Sequence, residues 1–124
     1  MDAGTALREL MTAINEHRWE DLAQYLHDDF VCHLVHTGES FSRDEWIAFN
    51  ADYPDFDTIT IEELVSTDMH AACRSFVSNV GSNGAPQFAC ASFARMTDGR
   101  ISSLTEVWTD LDQQAPEGTR PPTS

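Results

Sequence analysis

One stretch near the C-terminal end decides the fold of this chain: DGRISSLTEVW, residues 98–108. Its opening Asp98-Gly99 pair favours positive φ angles, which is typical of a tight turn between two antiparallel strands. The pair therefore predicts a hairpin that joins the apolar run 88–96 to a final strand over residues 101–111. The last third of the chain is expected to be β-structure.

The final strand carries a single acidic residue well inside it, Glu106. A buried carboxylate without a partner is costly, so Glu106 must face a cavity or water, or pair with a cation. Leu104 and Trp108 lie two residues to either side on the same strand face, and an apolar surround of this kind raises the pKa of a carboxyl and suits it to act as a general base. The alternative is an ion pair across the sheet with Arg95 or Arg74. The sequence leaves both interpretations open.

Upstream of the hairpin, the hydrophobic period changes from helical to strand-like near Asp57. Helical spacing predicts two amphipathic helices over residues 7–14 and 19–26, and the apolar run 30–36 predicts a strand. A capping box that begins at Ser42 predicts a short third helix, which should stop near residue 53 because Pro54 disfavours helical geometry before it. Alternating segments then predict an antiparallel meander over residues 58–65, 71–80, 88–96 and 101–111.

This order of elements predicts an α+β fold in which helices pack on one face of a sheet. We expect one domain, residues 1–112, followed by a flexible tail, residues 113–124, because the Pro- and Gly-containing tail has little to bury. The strands predicted over 71–80 and 88–96 carry apolar or small residues on both faces. One layer of helices cannot cover both faces, so we expect a homodimer through the sheet.

Composition excludes several classes of function. With 21 acidic and 7 basic residues the formal charge is -14, so no positive surface is expected for nucleic acid or anionic lipid. Lysine is absent, which excludes Schiff-base chemistry and a phosphate-loop lysine. The three cysteines are far apart and are expected to be reduced core thiols. No signal peptide or membrane-length apolar run is visible, so we expect a cytoplasmic protein that binds no membrane.

Three stretches carry a resemblance to a known family: residues 13–22 (AINEHRWEDL), residues 26–30 (LHDDF) and the hairpin strand 98–108. The chain resembles the nuclear-transport-factor-2-like superfamily and, within it, the SnoaL-like polyketide-cyclase group. The resemblance implies a cone-shaped fold in which three N-terminal helices pack on a curved, mostly antiparallel sheet. It also implies a pocket for a small apolar or amphipathic molecule, and it agrees with a homodimer.

The resemblance further implies where catalytic groups of enzymatic members would fall. Those members place a carboxylate base late in the first strand and add an acid from the first helix or a later strand. In this chain the corresponding positions are Leu34, Leu10 and Ala91. The isomerase machinery therefore does not carry over, and a catalytic site would have to be built from other residues.

The candidate catalytic pair is Glu106 and His36. Histidine titrates near neutral pH and serves as a general acid or base. The alternative for His36 is a half-exposed residue at the end of a strand without a catalytic role. His33 and His36 should point to opposite faces of a strand, so no metal site is expected. No cofactor is expected either.

The candidate ligand-binding residues are Trp46, Asn50, Tyr53 and Trp108. The first three lie on or just after the third helix, which lines the pocket mouth in the family fold, and Trp46 and Trp108 are expected to close the pocket. Aromatic residues at helical spacing, such as Trp46 and Phe49, are also typical of a core. Tyr53 has a hydroxyl that needs a partner if buried, which suits a polar lining group.

Three functions compete. The first is a small-molecule-binding domain that acts as a cofactor-independent acid/base cyclase, isomerase or hydratase. The second is a non-catalytic dimeric binding or accessory domain. The third is a protein-interaction adaptor, which would need an exposed apolar patch. A carboxylate and a second titratable group that reach one ligand atom in the pocket would separate the first function from the second.

Overall fold

The computed structural model describes residues 1–54, 56–79, 87–111 and 113–119. Two α-helices, α1 (Ala3–Asn15) and α2 (Arg43–Asp52), and a 3₁₀-helix (Trp19–Tyr25) precede most of the sheet. The strands are β1 (Leu26–Leu34), β2 (Ser40–Ser42), β3 (Phe56–Ser66), β4 (His70–Asn79), β5 (Gln87–Thr97) and β6 (Arg100–Asp110). In the described ranges they form one sheet in the order β2-β1-β6-β5-β4-β3, which confirms the predicted α+β class.

The sheet is mixed, with one parallel pair of strands and antiparallel pairing between the other described neighbours. The parallel pair is β1 and β6, with Leu34 beside Glu106 and Cys32 beside Leu104. The predicted hairpin is confirmed, since β5 and β6 pair across a turn in which Asp98 and Gly99 have φ angles of 52° and 79°. Both angles are positive, as the tight hairpin turn requires.

The N-terminal half differs from prediction in three places. The second helix is a 3₁₀-helix, because the segment is short and its N-cap, Arg18, supplies no capping side-chain bond. β1 begins at Leu26 and ends at Leu34, whereas the predicted strand covers residues 30–36. The start of β1 gives no apolar pattern, because the polar residues 27–29 follow Leu26. The three-residue strand β2, which pairs with the free edge of β1, is too short to leave a periodic signal.

The local signals around α2 are confirmed. The Ser42 side chain accepts from the backbone N–H of Glu45, and the Glu45 side chain accepts from the backbone N–H of Ser42, which completes the capping box. The helix ends at Asp52 with Tyr53 as its C-cap, as expected before Pro54. This capping fixes the start of α2 and therefore the position of Trp46 in its first turn.

The core lies between one face of the sheet and the helices. α1 buries a stripe of four large side chains, Leu7, Leu10, Met11 and Ile14, and packs mainly against β3. The contact is close at Gly4, where an added Cβ would lie 2.5 Å from the side-chain oxygen of Ser66. No helix in the described ranges is long and apolar enough to span a bilayer.

Two predicted segments fall partly outside the described residues. The strand predicted over residues 71–80 ends at residue 80, which belongs to the undescribed residues 80–86. The predicted tail is described over residues 113–119, which form a turn and irregular structure, and residues 120–124 lie outside the description.

Candidate functional site

A cavity of about 310 Å³ lies between the helices and the sheet, a size typical of small-molecule sites. Most of its wall is apolar. The aromatic part consists of Trp46, Phe49, Tyr53, Phe56, Phe88 and Trp108, and the aliphatic part of Met11, Ile14, Leu34, Ile59 and Val77. The polar lining residues are His36, Asn50, Asn79, Glu106, Thr109, Asp110 and Gln113.

Glu106 is the buried polar group of this cavity, with only 5% of its surface exposed. Its Oε1 accepts from Trp46 Nε1–H at 3.1 Å and from the Cys32 thiol at 3.3 Å. Its Oε2 accepts from the Cys90 thiol at 3.5 Å. Burial raises the pKa of Glu106, while the hydrogen bonds from Cys32, Trp46 and Cys90 and the nearby imidazole of His36 act in the opposite direction.

Strand register explains why these groups meet. Leu34 is the parallel partner of Glu106, and Cys32 lies two residues earlier on the same face of β1. On the other side, Ser92 of β5 is the antiparallel partner of Glu106, and Cys90 lies two residues away on the same face of β5. Three strands and the first turn of α2 thus converge on one carboxyl.

The alternative prediction, an ion pair between Glu106 and Arg95 or Arg74, is wrong in the described structure. Arg74 forms an exposed ion pair with Glu62 at 3.2 Å, and Arg95 is exposed. The donors that reach Glu106 are uncharged, so the carboxyl is held by hydrogen bonds without a buried cation. An uncompensated carboxyl in this position favours its protonated form more than an ion-paired one would.

All six candidate site residues line the cavity. Trp46 and Glu106 lie at its buried end, Asn50 and Trp108 are half-buried, and His36 and Tyr53 are exposed at the rim. Trp46 is 1% exposed and bonded to Glu106, so it forms the inner wall, whereas it was expected to close the pocket. His36 lies in the turn after β1 and not on the strand, because β1 ends at Leu34.

The sequence did not predict the thiol donors. All three cysteines are free and buried, as expected. Cys32 and Cys90 also bond Glu106, and burial first and then the Glu106 charge raise the pKa of both thiols. Strand alternation signals that both residues face inward, but only the pairing of β1, β6 and β5 places them at one carboxyl.

Twelve further lining residues were not candidates for the site, among them Phe56, Phe88, Asp110 and Gln113. Phe88 and Asp110 are antiparallel partners at the end of the β5–β6 pair, so they belong to the rim. Gln113 was assigned to the tail, yet its Nε2 donates to Thr109 Oγ1 at 2.8 Å and to the Asp110 carbonyl at 3.0 Å. The start of the tail therefore contributes to the cavity wall.

The cavity combines one buried carboxyl with a mostly apolar wall. In the part of the chain that the structure describes, no three His, Cys, Asp or Glu side chains are arranged to hold a metal ion. His33 lies on the exposed side of β1 and bonds Ser40 Oγ at 2.8 Å. The titratable groups that line the cavity are His36, Tyr53, Glu106 and Asp110.

Solved structures with this fold come from several bacteria. A Kribbella flavida protein provisionally named a ketosteroid isomerase is 23% identical, with a TM-score of 0.81 over 98% of this chain and 89% of that chain. An NTF-2 like protein of unknown function from Burkholderia xenovorans is 15% identical, with a TM-score of 0.76 over 90% and 86% of the two chains. A Mycobacterium tuberculosis LEH-like epoxide hydrolase is 14% identical, with a TM-score of 0.73 over 86% and 82%.

At these identities the likeness establishes the fold alone. No curated protein matches the chain in sequence. The profile of the SnoaL-like domain matches residues 7–104, which include most of α1, the whole of β1 to β5 and the first half of β6. With most of the chain matched and the fold in agreement, the protein belongs to the SnoaL-like domain family.

Proposed function

We propose that this chain binds a small apolar or amphipathic molecule in its cavity and that Glu106 exchanges a proton with that molecule, without a cofactor. The observation that carries the proposal is a buried carboxyl that lines an apolar cavity and has no cationic partner among the described residues. A carboxyl in such a surround is a stronger base than one in water, as general-base catalysis requires.

The two oxygens of Glu106 differ in a way that supports this role. Oε1 already accepts two hydrogen bonds, from Trp46 and Cys32, which fix the orientation of the carboxyl. Oε2 accepts only one weak bond, from the Cys90 thiol, and so retains acceptor capacity for a ligand proton. We assign Trp46 as the positioning residue and Oε2 as the oxygen that gives and takes the proton.

The position of Glu106 also supports the proposal. Enzymes of the family that the sequence resembles carry their base late in the first strand, where this chain has Leu34. Glu106 is the parallel partner of Leu34 and projects from the same face of the sheet. A carboxyl on β6 can therefore reach nearly the same region of the cavity as the carboxylate that those enzymes carry on their first strand. His36 and Tyr53 at the rim are the proposed second titratable groups.

A non-catalytic binding domain is the second candidate, and one observation favours it. The hydrogen-bond partners of Glu106 in the described structure are Trp46 and two thiols, Cys32 and Cys90, whose pKa values are raised, and neither His36 nor Tyr53 bonds the carboxyl. In that case the buried carboxyl would serve only to recognise a ligand donor. The same cavity would bind without turnover.

We further propose that the domain, residues 1–112, is a cone whose mouth is the rim of this cavity, that residues 113–124 are a tail and that the protein is cytoplasmic.

We also propose a homodimer through the outer sheet face. Phe93 and Val107 on that face are 51% and 41% exposed, and small residues such as Ala91 lie between them. Sedimentation at micromolar concentration should give a dimer, and replacement of Phe93 by Asp should give a monomer. A monomeric wild type contradicts the interface.

Nitrobenzisoxazole provides a direct test of proton transfer, since it is a neutral bicyclic molecule that opens when a base removes its ring C–H proton. The N–O bond then breaks and a cyanophenolate forms, which is followed by its absorbance. We expect the wild type to accelerate this reaction and Glu106→Gln to lose the acceleration by about a hundredfold or more. Glu63→Gln, which removes an exposed carboxyl from β3, is the matched control and should behave as the wild type.

Binding must be measured in the same samples, because it separates the two candidates. Saturable binding of nitrobenzisoxazole with equal rates for the wild type and Glu106→Gln would refute proton transfer by Glu106 and leave the non-catalytic function. A rate that is lost in both Glu106→Gln and Glu63→Gln would show that net charge, and not the buried carboxyl, controls the reaction.

A further inference from the structure

Two of the three amides that line the cavity already donate hydrogen bonds within the protein. Asn50 Nδ2 donates to the Trp46 carbonyl at 2.8 Å, and Gln113 Nε2 donates to Thr109 Oγ1 and the Asp110 carbonyl. Their amide oxygens remain as acceptors. A ligand that reaches Asn50 or Gln113 therefore meets an amide oxygen that can accept, beside an amide nitrogen that already donates.

A further acceptor of the cavity wall, on Asn79, is buried and has no hydrogen-bond partner among the described residues. The unpaired atom is Asn79 Oδ1, and the side chain lines the cavity. Leaving a buried acceptor unpaired costs free energy, so a ligand that supplies a donor would gain affinity by satisfying it. An unpaired acceptor at this place favours an occupant that carries N–H or O–H donors.

The charges of the wall point in the same direction. Asp110 is an exposed carboxyl at the rim of the cavity, and none of the described lining residues is an arginine. Lysine is absent from the chain, and the formal net charge is -14. An anionic ligand would find no fixed cation here, while a cationic ligand would be attracted both by the wall and by the whole protein.

One end of the sheet brings these features together. Phe88 is the antiparallel partner of Asp110 on one side and of Val77 on the other, and Asn79 lies two residues beyond Val77 on the same face. Trp108 lies two residues before Asp110 and contacts the ring of Phe88, with 6.2 Å between ring centroids. A carboxylate, an unpaired acceptor and two aromatic rings thus lie at adjacent register positions. Carboxylates and aromatic faces are the groups that bind ammonium ions in proteins.

We propose that the cavity takes an amphipathic amine, whose ammonium group lies at Asp110 and whose apolar body lies among the aromatic side chains. The inference rests on the proposed binding function of the same cavity and adds the chemical class of the ligand. The ammonium group supplies donors to the acceptors of this wall, the unpaired Asn79 Oδ1 among them, and its charge is opposite to that of Asp110. The apolar body is bound by the rings of Phe49, Phe88 and Trp108.

Three naphthalene probes of nearly equal size test the class: naphthylmethylamine, naphthalenemethanol and naphthoate. Their dissociation constants for the full chain are measured at neutral pH by calorimetry. We expect the amine to bind about tenfold more tightly than the alcohol, since a cation over aromatic rings beside a carboxylate gains a contact that the alcohol lacks. Naphthoate should bind most weakly.

Asp110→Asn should reduce the preference for the amine over the alcohol to about threefold or less, with little change in alcohol binding. Asp29→Asn is the matched control, because Asp29 is exposed, lies outside the cavity and removes the same charge. An equal or greater loss of amine affinity in Asp29→Asn would overturn the assignment of Asp110. Naphthoate or the alcohol binding as tightly as the amine would overturn the ligand class and leave the cavity function intact. A failure of all three probes to bind would overturn the proposed binding function together with this inference.

Discussion

Replacement of Glu106 by glutamine should stabilise the fold, by an amount that depends on pH. Burial raises the pKa of Glu106 from its ordinary value of 4.5, so the folded protein holds a proton that the unfolded chain releases. The contribution of this carboxyl to stability is therefore fully present below pH 4.5 and is lost as the pH rises through the folded pKa. Glutamine does not titrate and escapes this loss.

The size of this difference in unfolding free energy follows from the release of one proton by Glu106. Between pH 4.5 and the folded pKa, the wild type should lose up to about 1.4 kcal/mol per pH unit relative to Glu106→Gln. The substitution itself costs little, because glutamine has the same shape and its oxygen can still accept the Trp46 N–H that now lies 3.1 Å from Oε1. The stability difference should start near zero in acid and grow toward neutral pH.

Urea unfolding over a series of pH values, with Glu63→Gln as the control for net charge, measures this difference. A constant difference between wild type and Glu106→Gln at all pH values would refute the reasoning. So would a loss of about 1 kcal/mol or more in Glu106→Gln at neutral pH, which is the effect expected if the carboxyl were held by a charged partner.

Two further predictions concern the groups around Glu106. Trp46→Phe removes the N–H that favours the ionised carboxyl, so it should raise the pKa of Glu106 further and cost about 2 kcal/mol, which the same pH series of unfolding curves would measure. A pKa that stays or falls would contradict the positioning role. The buried thiols, whose pKa values are raised, should resist a thiol-specific disulfide reagent in the folded protein and all react after unfolding. Fast reaction in native buffer would show that the cluster is open to solvent.

Most of the fold was predictable from local chemistry. The Asp98-Gly99 turn, the capping box at Ser42 and the strand alternation after Asp57 each depend on a few neighbouring residues, and the structure confirms all three. The errors lie where tertiary contacts decide. The start of β1 at Leu26 is set by its parallel pairing with β6. A hydrophobic pattern does not indicate this start, because three polar residues follow Leu26.

The candidate site was only partly predictable. The position of Glu106 between Leu104 and Trp108 on one strand face indicated a buried carboxyl, and the structure places it in a cavity. Its partners could not be predicted, because Trp46 and Cys32 lie 60 and 74 residues away in sequence. Only the register of β1 against β6 and the placement of α2 bring them together. The catalytic and binding roles of the site residues remain predictions.

A carbon-NMR titration of glutamate side chains tests the central claim most directly, namely that Glu106 is a proton-exchanging carboxyl in a ligand cavity. The Glu106 signal is identified by its absence from Glu106→Gln. We predict that this signal titrates clearly above the ordinary pKa of 4.5 and that it shifts when naphthalenemethanol saturates the cavity. A Glu106 signal that titrates near 4.5, or one that does not respond to the bound probe, would contradict the account.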